Sequence, residues 1–196
     1  MRTIVTSFLA LMLSVATASS VFAEPQFVYW TNDLWKIQRT TPDGAVVEPV
    51  IDTSTTIGVP RAIAFDVARN HIYYTLIHGG IRRANVLDPQ NTIEELLIQG
   101  TETKSTGIAL DLVNNIIYWA EFVTVGTSTI NRAPLDFSAP PQIVVSGLGI
   151  PRGGIALDVT QQKIYWTDEG TKKIQRAKAN GSMNEDIEDV IVSGLT

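Results

Sequence analysis

Three aspartates, Asp66, Asp111 and Asp158, close the segments AIAFD, GIALD and GIALD, and each stands seven residues before a tyrosine. Carboxylates that return in this way could act as acids around a central channel. A residue that recurs at a fixed offset serves the repeat, however, whereas acid–base or nucleophilic work needs an asymmetric set of groups. We therefore expect all three to be structural. The same reasoning covers Arg39, Arg83, Arg132 and Arg176, each two residues after an isoleucine. Their stems are expected to lie over neighbouring aromatics with the heads hydrogen-bonded. The two histidines, His71 and His78, would stand about 23 Å apart at opposite ends of one strand, too far to share a metal. The chain has no cysteine, which excludes zinc and haem sites held by thiolate. No D-x-D-x-D-G calcium loop, G-x-S-x-G elbow or P-loop is present, and Asn32-Asp33 and Asp168-Glu169 are single acidic turns. No catalytic residue, metal ligand or cofactor is expected.

The elements that carry these residues repeat. QFVYWTNDLWKIQRT from Gln26, NHIYYTLIHGGIRRAN from Asn70, NIIYWAEFVTVGTSTINRAP from Asn115 and QKIYWTDEGTKKIQRAK from Gln162 align with one another. Their first tyrosines are Tyr29, Tyr73, Tyr118 and Tyr165, at intervals of 44, 45 and 47 residues. The aspartates and the arginines keep step with them, so three registers run in phase. Each unit reads as four short strands. In the last copy these are Gly154–Asp158, Lys163–Asp168, Lys173–Lys178 and Asp189–Ser193, the fourth following the turn signal Asn180-Gly181. The second strand is apolar on both faces, since Ile164, Tyr165 and Trp166 are consecutive; a sheet with one wet face would alternate. Sheets sandwiched between sheets, as in propeller blades, supply that environment. Small residues in the first strand (Gly107, Ala109, Gly154, Ala156) suit the crowded innermost position.

Ahead of the repeats, Arg2, the apolar run 4–15 and a small-residue stretch ending at Val21-Phe22-Ala23 have the order of a secretory signal peptide, cleaved after Ala23 or alternatively Ala18. The apolar run is shorter than the ~20 residues that span a bilayer. The expected domains are a leader, 1–23, and a repeat domain, 24–196, with blades near 26–60, 61–105, 106–151 and 152–196. Location outside the cytoplasm, secreted or periplasmic, follows. Losing Arg2 with no acid takes the formal charge of −5 to about −6; without a basic run, nucleic acid and anionic membrane are poor partners. No membrane insertion is expected once the leader is gone.

Residues 152–195 resemble a class B repeat of the low-density lipoprotein receptor family, the YWTD repeat. Tyr165-Trp166-Thr167-Asp168 matches that family's tetrapeptide in full and Tyr29-Trp30-Thr31-Asn32 misses the last residue. Tyr73-Tyr74-Thr75-Leu76 and Tyr118-Trp119-Ala120-Glu121 have drifted further. The resemblance implies an all-β YWTD-type propeller with Tyr29, Trp30, Tyr73, Tyr118, Trp119, Tyr165, Trp166 and Asp168 as structural repeat residues, beside the three repeated aspartates. It also implies a six-bladed ring of about 260 residues at this period, of which four blades are present and the first lacks its inner strand. A fragment, an open arc, or a protomer that completes its ring with another chain are the alternatives.

Function then falls to the rim, where loops from strand two to three and from blade to blade meet. These hold Trp35, His78, Phe122 and Lys172, and Arg61, Lys104 and Arg152, which differ from copy to copy. Aromatics and arginine are what protein interfaces favour. The competing reading is that Trp35 fills the space beside the first blade and Phe122 packs its own loop. The expected function is non-catalytic binding of a protein or other ligand through the rim, with a protein partner or self-association. The alternatives are a metal-dependent, gluconolactonase-like six-bladed enzyme and an inactive fragment of a larger receptor-like protein.

Overall fold

A computed structural model describes residues 11–12, 27–54, 58–78, 80–97, 104–180 and 183–191. They form four antiparallel four-stranded sheets, and helical structure among them is limited to one 3-10 turn, Val67–Arg69. The first sheet runs β1 (Leu11–Met12), β2 (Val28–Asn32), β3 (Lys36–Thr40) and β4 (Val47–Asp52). The second is β5 (Pro60–Asp66), β6 (His71–Leu76), β7 (Gly80–Asn85) and β8 (Glu94–Leu97). The third holds β9 (Lys104–Asp111), β10 (Ile116–Phe122), β11 (Ser128–Pro134) and β12 (Gln142–Leu148), and the fourth β13 (Ile155–Asp158), β14 (Lys163–Asp168), β15 (Lys173–Lys178) and β16 (Glu188–Ile191). Each sheet is a meander in chain order, the arrangement of a propeller blade. In the last repeat β14 and β15 have the bounds read from the sequence; the expected end of the fourth strand, Ser193, lies outside the described residues, as does Ala23.

The first sheet differs from its expected form. Its inner place is taken by β1, Leu11 opposite Tyr29 and Met12 opposite Val28, within the stretch whose sequence has the order of a leader. Removal of that stretch would make β2 the innermost strand.

Packing follows from the doubly apolar second strands. Three clusters of buried side chains lie between successive blades: Tyr29, Ile37 and Ile51 against Ile63, Ile72 and Tyr74; Ala64, Tyr73 and Ile81 against Ile108, Ile117 and Trp119; Tyr118, Ile130 and Val145 against Ile164, Trp166 and Ala177. Every interface thus sets the tyrosine face of one blade on the tryptophan-position face of the next. Among the described residues no such cluster joins the fourth blade to the first. Trp30 is accordingly only half-buried where Trp119 and Trp166 are fully buried, and Tyr165 and Ile174 are half-buried where Tyr73, Tyr118, Ile81 and Ile130 are enclosed. Among the described residues no blade packs on two faces, that of Val28 and Trp30 at one end and that of Ala156, Tyr165 and Ile174 at the other.

Tyr74 occupies a tryptophan position, and its hydroxyl is buried with no hydrogen-bond partner. Burial pushes this phenol up to about 12, although the Arg82 charge works the other way. An unfolded tyrosine titrates near 10, so between about pH 10 and 12 the unfolded chain releases a proton that the folded chain keeps. Stability should be complete below pH 10 and fall as pH rises through that window. Urea melts across this range should show a shallower alkaline loss for Tyr74→Phe, with Tyr118, also raised chiefly by burial, supplying the remainder. An unchanged slope in the variant would assign the loss elsewhere.

Candidate functional site

Each inner strand begins at one end of the arc, and a cation stands at or just before that start in three successive blades: Arg61 in β5, Lys104 in β9 and Arg152 ahead of β13. A chain of threonine hydroxyls fixes how these starts sit. Thr31 Oγ1 donates to the Arg61 carbonyl at 3.0 Å, and Thr75 Oγ1 donates to that of Thr106 at 2.7 Å, each crossing to the next blade. The third repeat has Ala120 at this position. Its cross-blade bond comes instead from Thr106 Oγ1, which donates to the Pro151 carbonyl at 2.7 Å. The sequence signal for this substitution is a threonine immediately before GIALD in the repeat whose motif threonine is lost.

The approach to Arg152 is held by Asp168. Its carboxylate accepts from the backbone N–H groups of Gly149 (2.9 Å), Ile150 (2.8 Å), Gly170 (2.9 Å) and Thr171 (3.2 Å). The residue is buried, and these donors replace the water it gives up. A Cβ on Gly149 would come within 2.7 Å of the carboxylate oxygen, so only glycine lets the loop approach this closely. Asn32 keeps part of the pattern, accepting from Leu34 N and Lys36 N. Glu121 instead accepts from Trp119 Nε1 at 2.6 Å, and Leu76 carries no polar group.

The three inner-strand starts enclose a cavity of about 650 Å³ lined by Arg61, His78, Lys104, Thr106, Arg152 and Gly153, among others. Phe122 stands beside it with two cations around one ring, the Arg152 guanidinium 4.5 Å and the Lys104 ammonium 5.8 Å from the centroid. Arg61 makes an open contact with Asp33 at 3.6 Å. Among the described residues no carboxylate lies within ion-pair reach of Lys104 or Arg152. His78 Nδ1 is enclosed without a hydrogen-bond partner.

Of the rim residues read from the sequence, Arg61, His78, Lys104 and Arg152 therefore share one cavity, with Phe122 against two of them. Lys172 lines a shallower pocket of about 360 Å³ with Arg152 and Glu169. Trp35 is 39% exposed, so part of its ring is open to solvent. Trp35, His78 and Lys172 sit at hairpin turns with φ of 65°, 65° and 59°, a conformation that disfavours a side chain. Phe122 meets Lys104 of its own sheet and Arg152 from the approach to the next.

The repeated aspartates lie at the other end of the inner strands. Asp66 accepts from Arg69, Asp111 from the backbone of Val113 and Asn114, and Asp158 from Gln161 N. Each carboxylate closes the turn into its second strand. The arginines divide: Arg39 lies 4.2 Å over Phe27 and pairs with Glu48, and Arg83 lies over Tyr73 and pairs with Glu94, as expected, whereas Arg176 pairs with Glu188 and Arg132 donates to Gln142 and the Ala179 carbonyl without standing over a ring. His71 opens β6, and His78 lies in the turn two residues past its end. Among the described residues no three histidine or carboxylate groups converge as metal ligands, and no helix is long and apolar enough to cross a membrane.

No protein-family model and no curated protein matches the sequence. Among solved structures, the propeller of the nidogen/laminin complex is similar at 22% identity and TM-score 0.68, over 84% of this chain and 61% of that one. A gluconolactonase from Xanthomonas campestris aligns at 15% identity and TM-score 0.64, over 84% and 58%. An auxiliary nutrient binding protein from Bacteroides thetaiotaomicron aligns at 11% identity and TM-score 0.66, over 87% and 40%. The chain spans about three fifths of the first two and two fifths of the third. These likenesses show a β-propeller fold in binding proteins and an enzyme alike.

Proposed function

We propose that this chain is an exported, non-catalytic binding module of the YWTD-propeller kind, with residues 1–23 as its leader, and that it engages a protein through the rim bearing Arg61, Lys104, Phe122 and Arg152. One observation carries the reading. The residues that break the repeat pattern are gathered by three consecutive blades around one open cavity, while those that keep the pattern are spent on packing and turn closure. An arginine on an aromatic ring loses little side-chain freedom when a partner docks, and such groups dominate interface energetics. Likeness to the nidogen/laminin propeller is consistent with protein binding but rests on the fold. A lactonase-type site would need acids converging at the mouth of the propeller, and among the described residues the charged side chains that line this cavity are Arg61, Lys104 and Arg152.

The test is joint replacement of Arg61, Arg152 and Phe122 by alanine. The variant should release proteins that immobilised wild-type chain retains from the surrounding medium, with a melting temperature near that of wild type. All three side chains are partly or fully exposed, where substitutions shift stability by about 0.5 kcal/mol or less each. A large drop in melting temperature with undiminished retention would assign these residues to packing.

A further inference from the structure

We infer that the cavity bounded by Arg61, Lys104 and Arg152 is a site for an extended acidic peptide segment, one that carries several carboxylates. This rests on the rim-binding reading and specifies the chemistry of the partner.

Among the described residues the charged side chains that line the cavity are cations, with Asp33 against Arg61 from outside the lining. Three cations and a histidine line it or its lip, in a chain whose formal charge is −5. Lys104 and Arg152 are held against Phe122 rather than paired with an acid. An unpaired cation beside an apolar ring is less well hydrated than one in open water, so a carboxylate that reaches it meets a smaller desolvation cost. Arg61 shows the interaction the site favours, since the carboxylate of Asp33 already approaches its guanidinium at 3.6 Å. Both of those side chains are half-exposed or more, and an incoming carboxylate can take the place of Asp33.

The number of cations favours a chain over a single anion. They belong to three blades in succession, and an extended chain, which advances about 3.3 Å per residue, can bring several carboxylates to one cavity. The lining suits a backbone, since Gly153 and Gly154 line the cavity without side chains. Cations on the rim of an otherwise acidic protein also steer an acidic partner towards this end of the arc.

The experiment uses the full purified chain and a fluorescent heptapeptide with aspartates at its first, fourth and seventh positions and Gly-Ser between them. Anisotropy titration at low salt should show saturable binding that weakens steeply as salt is raised. The same peptide with asparagines should bind at least tenfold more weakly. Arg152→Gln combined with Lys104→Gln should cost at least tenfold, with an unchanged far-ultraviolet spectrum and melt. Phe122→Leu, which keeps the charges, should cost less than the double variant. Equal affinity for the aspartate and asparagine peptides, or full binding by the double variant, overturns the inference. Binding of citrate, read by titration calorimetry, in a chain that does not bind the peptide would also overturn it, and make the site one for a small anion. The rim reading fails separately, if the Arg61, Arg152 and Phe122 replacement leaves retention of protein partners intact.

Discussion

Replacing Trp166 with alanine is expected to destabilise the fold by about 3–5 kcal/mol, the range for removing a fully buried large aromatic. Trp166 is 1% exposed and packs between the third and fourth blades with Tyr118, Ala120 and Ile164. Its indole N–H has no hydrogen-bond partner, so the loss is one of packing and comes without an orphaned polar group. For a domain of this size that corresponds to a fall in melting temperature of roughly 10 °C. Trp30 makes the comparison informative. It holds the same place in the repeat, and the sequence alone predicts the same cost. The structure separates the two, because the face carrying Trp30 has no blade against it and the ring is only half-buried. Trp30→Ala should therefore cost about 1–2 kcal/mol, in proportion to the apolar area it keeps from water. Parallel urea melts decide the matter. Equal losses would mean that Trp30 is covered in solution, and an unchanged Trp166→Ala melt would refute the interblade placement.

That pair of tryptophans also marks what the sequence could tell. Period and composition place strands β14 and β15 because alternation and turn signals are local properties of the chain. The three in-phase registers disclose four sheets and the double-sided burial of their second strands. Local pattern does not report which end of a repeat array lies open, so Trp30 and Trp166 look alike until the neighbouring blades are in place. The site behaves similarly. Arg61, Lys104, Arg152 and Phe122 stand out in the sequence because they vary where the rest repeats, but the meeting of Lys104 and Arg152 at the Phe122 ring depends on contacts across 18 and 30 residues of chain. Thr106 passed unnoticed for a related reason. Its hydroxyl substitutes for the missing one at Ala120 from a different strand, a compensation that is visible only once β9 and β10 are paired. Strands four are the least legible elements, because β4, β8, β12 and β16 all pair with their neighbours through register shifts, which break the period of two.

The polypeptide of residues 24–196, which removal of the proposed leader would leave, is expected to associate rather than to remain a monomer. A ring of four blades would need each interface to turn through about 90°, against about 60° in a ring of six. The present interfaces leave the fourth blade without a buried contact to the first. Two unlike faces are exposed as a result: Val28 and Trp30 on one end, and Ala156, Tyr165 and Ile174 on the other. They are complementary in the sense that matters, since each internal interface already joins a tyrosine face to a tryptophan-position face. A second copy docking head to tail would repeat that contact between molecules, and such heterologous contacts propagate unless the rotation closes. Losing the leader adds to the tendency, because β1 covers the edge of β2 at Val28 and Tyr29, and an uncovered strand edge recruits another strand. Light scattering of residues 24–196 over a range of concentrations should report a mass above the monomer's that grows with concentration. Lysine at Tyr165 together with lysine at Ile174 should lower that mass and leave the fold intact, because both side chains are already partly in water. A monomer of about 19 kDa at every concentration, with a cooperative melt, would show that the two faces are covered by some arrangement other than a second copy.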